Sequence, residues 1–223
     1  MYTDPDESKL QEAIKQHFLQ KELITLVQIG ANDGVDHDPV REIVYSDSRI
    51  KGLLVEPQQE AFSRLQQTYK PLIESGRVSL LNKAVFEREC RVKLYKNTAE
   101  NGTDGHSSFL LRQNDPYTHF QDDVYEEVDA ITVTQLLTIA NSPIDVLVVD
   151  TEGYDSTIVQ CLLDTRSRPG VLFFERPSII LADDRLGNVA TGLTVLNDIV
   201  ANLQEKGYTV EVLSGNILGT FNF

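Results

Sequence analysis

Cysteine, basic charge and long apolar runs are all scarce in this 223-residue sequence, and each scarcity excludes something. The two cysteines, Cys90 and Cys161, have neither the paired spacing of a zinc site nor the density of a disulfide framework. They read as buried or idle thiols. Twenty Lys and Arg against 34 Asp and Glu leave a net charge of −14. Counterion release, which drives binding to nucleic acid, works against such a chain, so no nucleic-acid partner is expected. No apolar run approaches the ~18 residues of a membrane-spanning helix, so no membrane partner is expected either. The start, with Asp4-Pro5-Asp6-Glu7, is acidic where a secretory signal would be basic and then apolar. A cytoplasmic, unprocessed protein is the expectation. Internal repeats and low-complexity segments are also missing.

What is present suffices for a sizeable core. Hydrophobic residues make up 41% of the chain, and its length corresponds to one domain at roughly 100–200 residues each. Leu10, Ala13, Ile14, His17 and Phe18 recur at helical spacing, which gives an N-terminal helical extension over residues 1–24. From residue 25 to 223, short apolar strands alternate with helices. The strands are Leu26–Ile29, Lys51–Glu56, Val78–Asn82, Ile144–Asp150 and Val171–Glu175. An added strand is expected over 88–96, and an irregular stretch over 97–127. Asp38-Pro39 reads as the cap and first turn of a helix near Val40–Tyr45. The chain ends as a hairpin, Tyr208–Leu213 and Ile217–Phe221, around Ser214-Gly215-Asn216. This order predicts an α/β fold: a mostly parallel, seven-stranded Rossmann-like sheet with an antiparallel C-terminal strand and helices on both faces.

In such sheets ligands bind beyond the carboxyl ends of the strands. Three of those ends are polar here. Gly30-Ala31-Asn32-Asp33-Gly34 follows the first strand. It is neither Gly-x-Gly-x-x-Gly nor a Walker loop, so a pyrophosphate or triphosphate is not its natural guest. A plain strand-to-helix turn would read the same way. Glu56 ends the second strand, 22 positions after Gly34. An acid about 20 residues beyond a glycine loop commonly accepts from ribose hydroxyls, although Glu56 could equally open the helix at Pro57. Asp150-Thr151-Glu152-Gly153-Tyr154-Asp155 brings three carboxylates together. They need compensation by hydrogen bonds, a cation or a cationic substrate centre. Asp155 is expected to cap the following helix. A divalent metal is possible but not predicted.

Val27-Gln28-Ile29-Gly30-Ala31-Asn32-Asp33-Gly34, Leu54-Val55-Glu56-Pro57, Asn82-Lys83-Ala84-Val85, Ser107-Ser108-Phe109 and Val149-Asp150-Thr151-Glu152-Gly153-Tyr154-Asp155 occur in one order. Together they resemble the FkbM-type S-adenosylmethionine-dependent methyltransferases, from about Leu26 to the terminal hairpin. The resemblance implies a class I methyltransferase fold and O-methylation of a sugar or natural-product hydroxyl, with S-adenosylhomocysteine as the second product. By position, Gly30, Ala31, Asn32, Asp33 and Gly34 would hold the methionine end of the cofactor. Glu56, followed by Pro57, would take the ribose. Asn82, Ala84 and Val85 would border the adenine. Ser108 would bond the methionine end, and Asp150, with Glu152, would lie near the sulfonium.

His106, Asp150 and Glu175 are the candidates for the base that removes the acceptor's proton. Two positions depart from the family pattern. Arg176-Pro177 follows Glu175 where a histidine is frequent, and Val148 stands where many members carry lysine. Two other readings compete: another nucleotide- or sugar-nucleotide-binding α/β enzyme, and a methyltransferase-like binding module without catalysis.

Overall fold

The computed structural model describes residues 4–35, 38–97, 120–177 and 192–222. Its main sheet has seven strands in the order β3-β2-β1-β7-β8-β10-β9. β1 is Ile24–Ile29, β2 Ile50–Val55, β3 Val78–Leu81, β7 Val146–Val149 and β8 Val171–Glu175. These five are mutually parallel. β9 (Tyr208–Val212) and β10 (Asn216–Phe221) form the terminal hairpin, and β10 runs antiparallel to β8. The expected mostly parallel sheet with its antiparallel C-terminal strand is therefore observed.

Strand alternation sends successive residues to opposite faces, and both faces are covered by helices. Val27, Ile29, Leu147, Val149 and Phe174 pack with α5 (Val133–Ala140), α6 (Asp155–Leu163) and α7 (Gly192–Glu205). Leu26, Leu54, Val146, Val148 and Phe173 pack on the other side with α1 (Pro5–His17), α2 (Arg41–Ser46), α3 (Gln59–Thr68) and α4 (Lys70–Glu74). Leu10 and Ile14 of α1 are fully buried in that second core. Among the described residues, no helix is long and apolar enough to cross a membrane.

A second sheet, of three strands in the order β4-β6-β5, consists of Ala84–Val85, Phe120–Ile131 and Cys90–Asn97. It corrects one expectation. Residues 120–127, expected as part of an irregular stretch, extend β6 antiparallel to β5. The acid-rich sequence hides this strand because its charges are met across the ladder. Arg91 Nη1 lies 3.4 Å from Glu127 Oε2, and Lys96 Nζ 3.4 Å from Glu126 Oε2. Leu94, Val128 and Ala130 turn inward and form a small core with Ala84.

The two ends of the chain are fastened together. Asp4 caps α1 by accepting from Asp6 N, with Pro5 in the first turn. Asp6, 4% exposed, reaches the hairpin turn. Its carboxylate accepts from Ser214 Oγ at 3.0 Å, Gly215 N at 2.9 Å and Asn216 Nδ2 at 3.2 Å. Burial alone would raise its pKa, but these donors hold it below the usual carboxylate value. Asp6→Ala removes a charged acceptor and strands three donors, so we expect it to lower the unfolding free energy by about 2 kcal/mol in urea titration. An unchanged midpoint would show that the turn holds itself.

Candidate active site

The strand order reverses between β1 and β7, and the polar strand ends converge there. Gly30 leaves β1 with φ +81°, and a Cβ on it would lie 1.7 Å from the carbonyl oxygen of Asp150. Only glycine permits both the conformation and the approach. Gly30 N and Ala31 N donate to Val55 O at 2.9 and 3.0 Å, which ties the loop to β2. Asn32 continues in the left-handed region at φ 47°. Gly34 packs against Leu65 and Tyr69, away from the cavity.

Glu56, 6% exposed, holds this loop from below. Its Oε2 accepts from Asn32 N at 2.9 Å and its Oε1 from Gln58 N at 2.7 Å. Asn82 Nδ2 donates to the carbonyls of Glu56 and Pro57 at 2.9 and 3.0 Å, fixing the chain around the acid. Burial pushes Glu56 up to about 7, against the pull of its two backbone donors.

After β7, the Asp150–Gly153 turn is shaped by Asp155. Its carboxylate accepts from Thr151 N at 3.2 Å, Thr151 Oγ1 at 3.0 Å and Gly153 N at 3.2 Å. Asp155 was expected to cap α6; instead Tyr154 holds the cap position and Asp155 is the first helical residue, its side chain turned back into the turn. The left-handed φ of Glu152 (56°) and the positive φ of Gly153 (105°) make that return possible. One carboxylate oxygen from each of Asp150, Asp155 and Glu175 lies within 4.8 Å of the others. Asp155 is engaged by its own turn, so the trio does not by itself describe a cation site.

These elements enclose a cavity of about 570 Å³. Of the residues singled out from sequence, Gly30, Ala31, Asn32, Glu56, Pro57 and Ala84 line it. Val85, Asp150, Glu152 and Glu175 line it as well. Asp33, Gly34 and Asn82 do not. Asp33 accepts from Val35 N, and Asn82 acts through the backbone at Glu56. His106 and Ser108 lie outside the described residues, as do His37 and His119. Val148 is fully buried in the α1-side core, and Arg176 N donates to Gly215 O at 2.8 Å.

Several lining residues escaped the sequence reading. Leu94 reaches the cavity from β5. Gln28 sits in the middle of β1, 1% exposed. Its Nε2 donates to Asp38 Oδ1 at 3.3 Å, and Tyr69 OH donates to Asp38 Oδ2 at 2.8 Å. Asp38 also takes Val40 N and Arg41 N, as an acid before a helix should. The visible signal was a polar residue inside an otherwise apolar strand.

Two measurements test this geometry. Glu56 carries a folded-state pKa of about 7 against an ordinary 4.5. Its contribution to stability is therefore fully present below pH 4.5 and is lost as pH rises through about 7. Across that interval the unfolding free energy should fall by roughly 3 kcal/mol, and Glu56→Gln should flatten this part of the profile. Gly30→Ala should not fold normally, because the clash is with backbone; normal thermal unfolding of that variant would contradict the close approach.

The comparisons follow from this architecture. The family profile described as Methyltransferase FkbM domain matches residues 28–210. No curated protein matches the sequence. Among solved structures, the chain is similar to a Staphylococcus aureus protein assigned as a caffeoyl-CoA O-methyltransferase, with TM-score 0.55 and 8% identity over 100% of this chain and 85% of that one. It is similar to the methyltransferase FkbM from Methylobacillus flagellatus KT, with TM-score 0.53 and 9% identity over 97% of this chain and 55% of that one. It is also similar to the N-terminal domain of human METTL16 in complex with SAH, with TM-score 0.51 and 9% identity over 100% of this chain and 73% of that one. At these identities the structural likenesses establish the class I methyltransferase-like fold. The profile match, which spans most of the chain, establishes the family: the protein belongs to the FkbM methyltransferases.

Proposed function

We propose that the crevice binds S-adenosylmethionine and that residues 25–223, carrying the helical extension 1–24, methylate a hydroxyl oxygen of a sugar or natural-product molecule. The observation that carries this reading is the clamp at the switch point. A buried acid holds the glycine-loop backbone, beside a strand end that a single glycine admits.

The residues present fit that cofactor. Glu56 keeps lone pairs beyond its two backbone donors, as acceptance from ribose hydroxyls requires. Asn32 Oδ1 is buried without a hydrogen-bond partner among the described residues, an acceptor suited to an ammonium group at the methionine end. Ala84, Val85 and Leu94 supply an apolar border for adenine. Asp150 and Glu152 give the negative surroundings that a sulfonium favours. Among the described lining residues there is no phosphate loop, and this cofactor has no phosphate.

The chemistry supplied by the bound cofactor is an electrophilic methyl carbon on positively charged sulfur. For that chemistry the chain would have to hold the acceptor hydroxyl in line with the methyl carbon and take up the hydroxyl proton. Asp150 and Glu175, which line the cavity, are our candidates among the described residues to receive it, and His106 is the third. Alignment of the reactants contributes ~7–11 kcal/mol and a positioned base roughly 10²–10⁴-fold. Asp150→Ala should abolish turnover, while Glu56→Ala should chiefly weaken the cofactor. The two free thiols accord with a cytoplasmic setting, which we also propose.

Calorimetric titration tests the reading. S-adenosylmethionine and S-adenosylhomocysteine should bind, whereas NAD and UDP-glucose should not, and Glu56→Ala should weaken both adenosyl ligands about tenfold or more. Binding of NAD or UDP-glucose in their place would overturn it.

A further inference from the structure

At its α1 end the cavity forms a lobe, about half of whose named lining lies outside the family match. Asp4 at the cap of α1, Glu7 within it, and Gly215 and Asn216 of the hairpin turn line it, and all four fall outside residues 28–210. Gln28, Phe173 and Glu175 face the same lobe. Gln28 is in register with Val148, and Val148 with Phe173, so alternation places all three on the α1 side of the sheet. Glu175 lies two residues on from Phe173, opposite Asn216. Val85, at the adenine border, belongs to the core on the other face.

Three features define what the lobe can hold. Its wall is fixed, because Asp6 fastens the hairpin turn to α1 through three hydrogen bonds. Among the described residues its named charges are of one sign: Asp4, Glu7, Asp38 and Glu175 line it. Lys83 is the one basic residue among the described lining, and it pairs with Asp129 at 2.7 Å. Finally, Gln28 presents an unmet acceptor. Asp38 takes the Nε2 donor, which fixes the amide with Oε1 turned away from the carboxylate. That oxygen is buried and has no hydrogen-bond partner among the described residues. A buried acceptor of this kind rewards an arriving donor.

We propose that this lobe is the methyl-acceptor subsite, that it selects an uncharged or cationic molecule rich in O–H or N–H groups, and that Gln28 Oε1 receives one of those donors. The proposal rests on the methyl-transfer reading above. Phosphate- or carboxylate-bearing acceptors would meet carboxylates on several sides, with the lone lysine already engaged. Asp38 and Tyr69 act as positioning residues, since they orient the Gln28 amide.

The test uses the protein saturated with S-adenosylhomocysteine. Three probes of matched ring size are titrated by calorimetry: methyl glucoside, its 2-amino-2-deoxy analogue and its uronate. The neutral and amino glycosides should bind about tenfold or more tighter than the uronate. Gln28→Leu should weaken both severalfold and leave S-adenosylhomocysteine affinity in place. Gln28→Glu, which keeps an acceptor at that position, should restore the amino glycoside; it also serves if the leucine variant does not fold. Glu7→Lys should shift the preference toward the uronate. Equal or tighter binding of the uronate to the wild-type protein, or binding of none of the three, overturns the proposal. So does a loss of S-adenosylhomocysteine affinity in Gln28→Leu as large as the loss of glycoside, since the amide would then serve the cofactor. Failure of the methyl-transfer reading is distinguishable, because the wild-type protein would not bind S-adenosylhomocysteine at all.

Discussion

The crevice depends on how closely two segments of the chain approach at Gly30. The first strand can leave the sheet against the Asp150 carbonyl only because no Cβ intervenes. That approach brings the glycine loop over the end of β2, where Glu56 takes the Asn32 amide. It also sets the Asp150–Gly153 turn beside the same loop. The remaining features serve this junction. Asn82 fixes the carbonyls around Glu56, and Asp155 folds the turn after β7. Gly34 lets the loop close on Leu65 and Tyr69.

Electrostatics gives the junction its character. A buried carboxylate is costly, and the two backbone amides on Glu56 offset only part of that cost. The net charge of −14 is thus not only a surface property. Acids line the cavity from α1 to β8. Such a cavity favours guests that are neutral or positive, and a sulfonium cofactor is positive. The same bias extends into the lobe formed by α1 and the hairpin turn.

The parallel core was legible because β1, β2, β7 and β8 are apolar on both faces, a pattern only a buried sheet explains. The terminal hairpin was legible from its Ser214-Gly215-Asn216 turn. Glu56 and the glycine loop could be placed because strand ends in this fold face one crevice. Other features depend on distant partners. The ladder of β6 rests on cations of β5, so its acids read as loop. Asp6 meets the hairpin turn 208 residues away, and nothing local announces that. Asp155 resembles a helix cap because the cap preference is local, whereas its donors lie in the turn behind it. Gln28 looked like part of a strand, and only its burial shows an unmet oxygen.

The most direct test of the account is amide hydrogen exchange with and without S-adenosylhomocysteine. Ligand binding at the switch point predicts added protection in the segments around 30–34, 56–58, 82–85 and 150–153, with little change in α4 or the β9–β10 ladder. Protection confined to other segments, or none despite saturating ligand, would contradict the claim that the clamp at Gly30, Glu56 and Asp150 is the binding site.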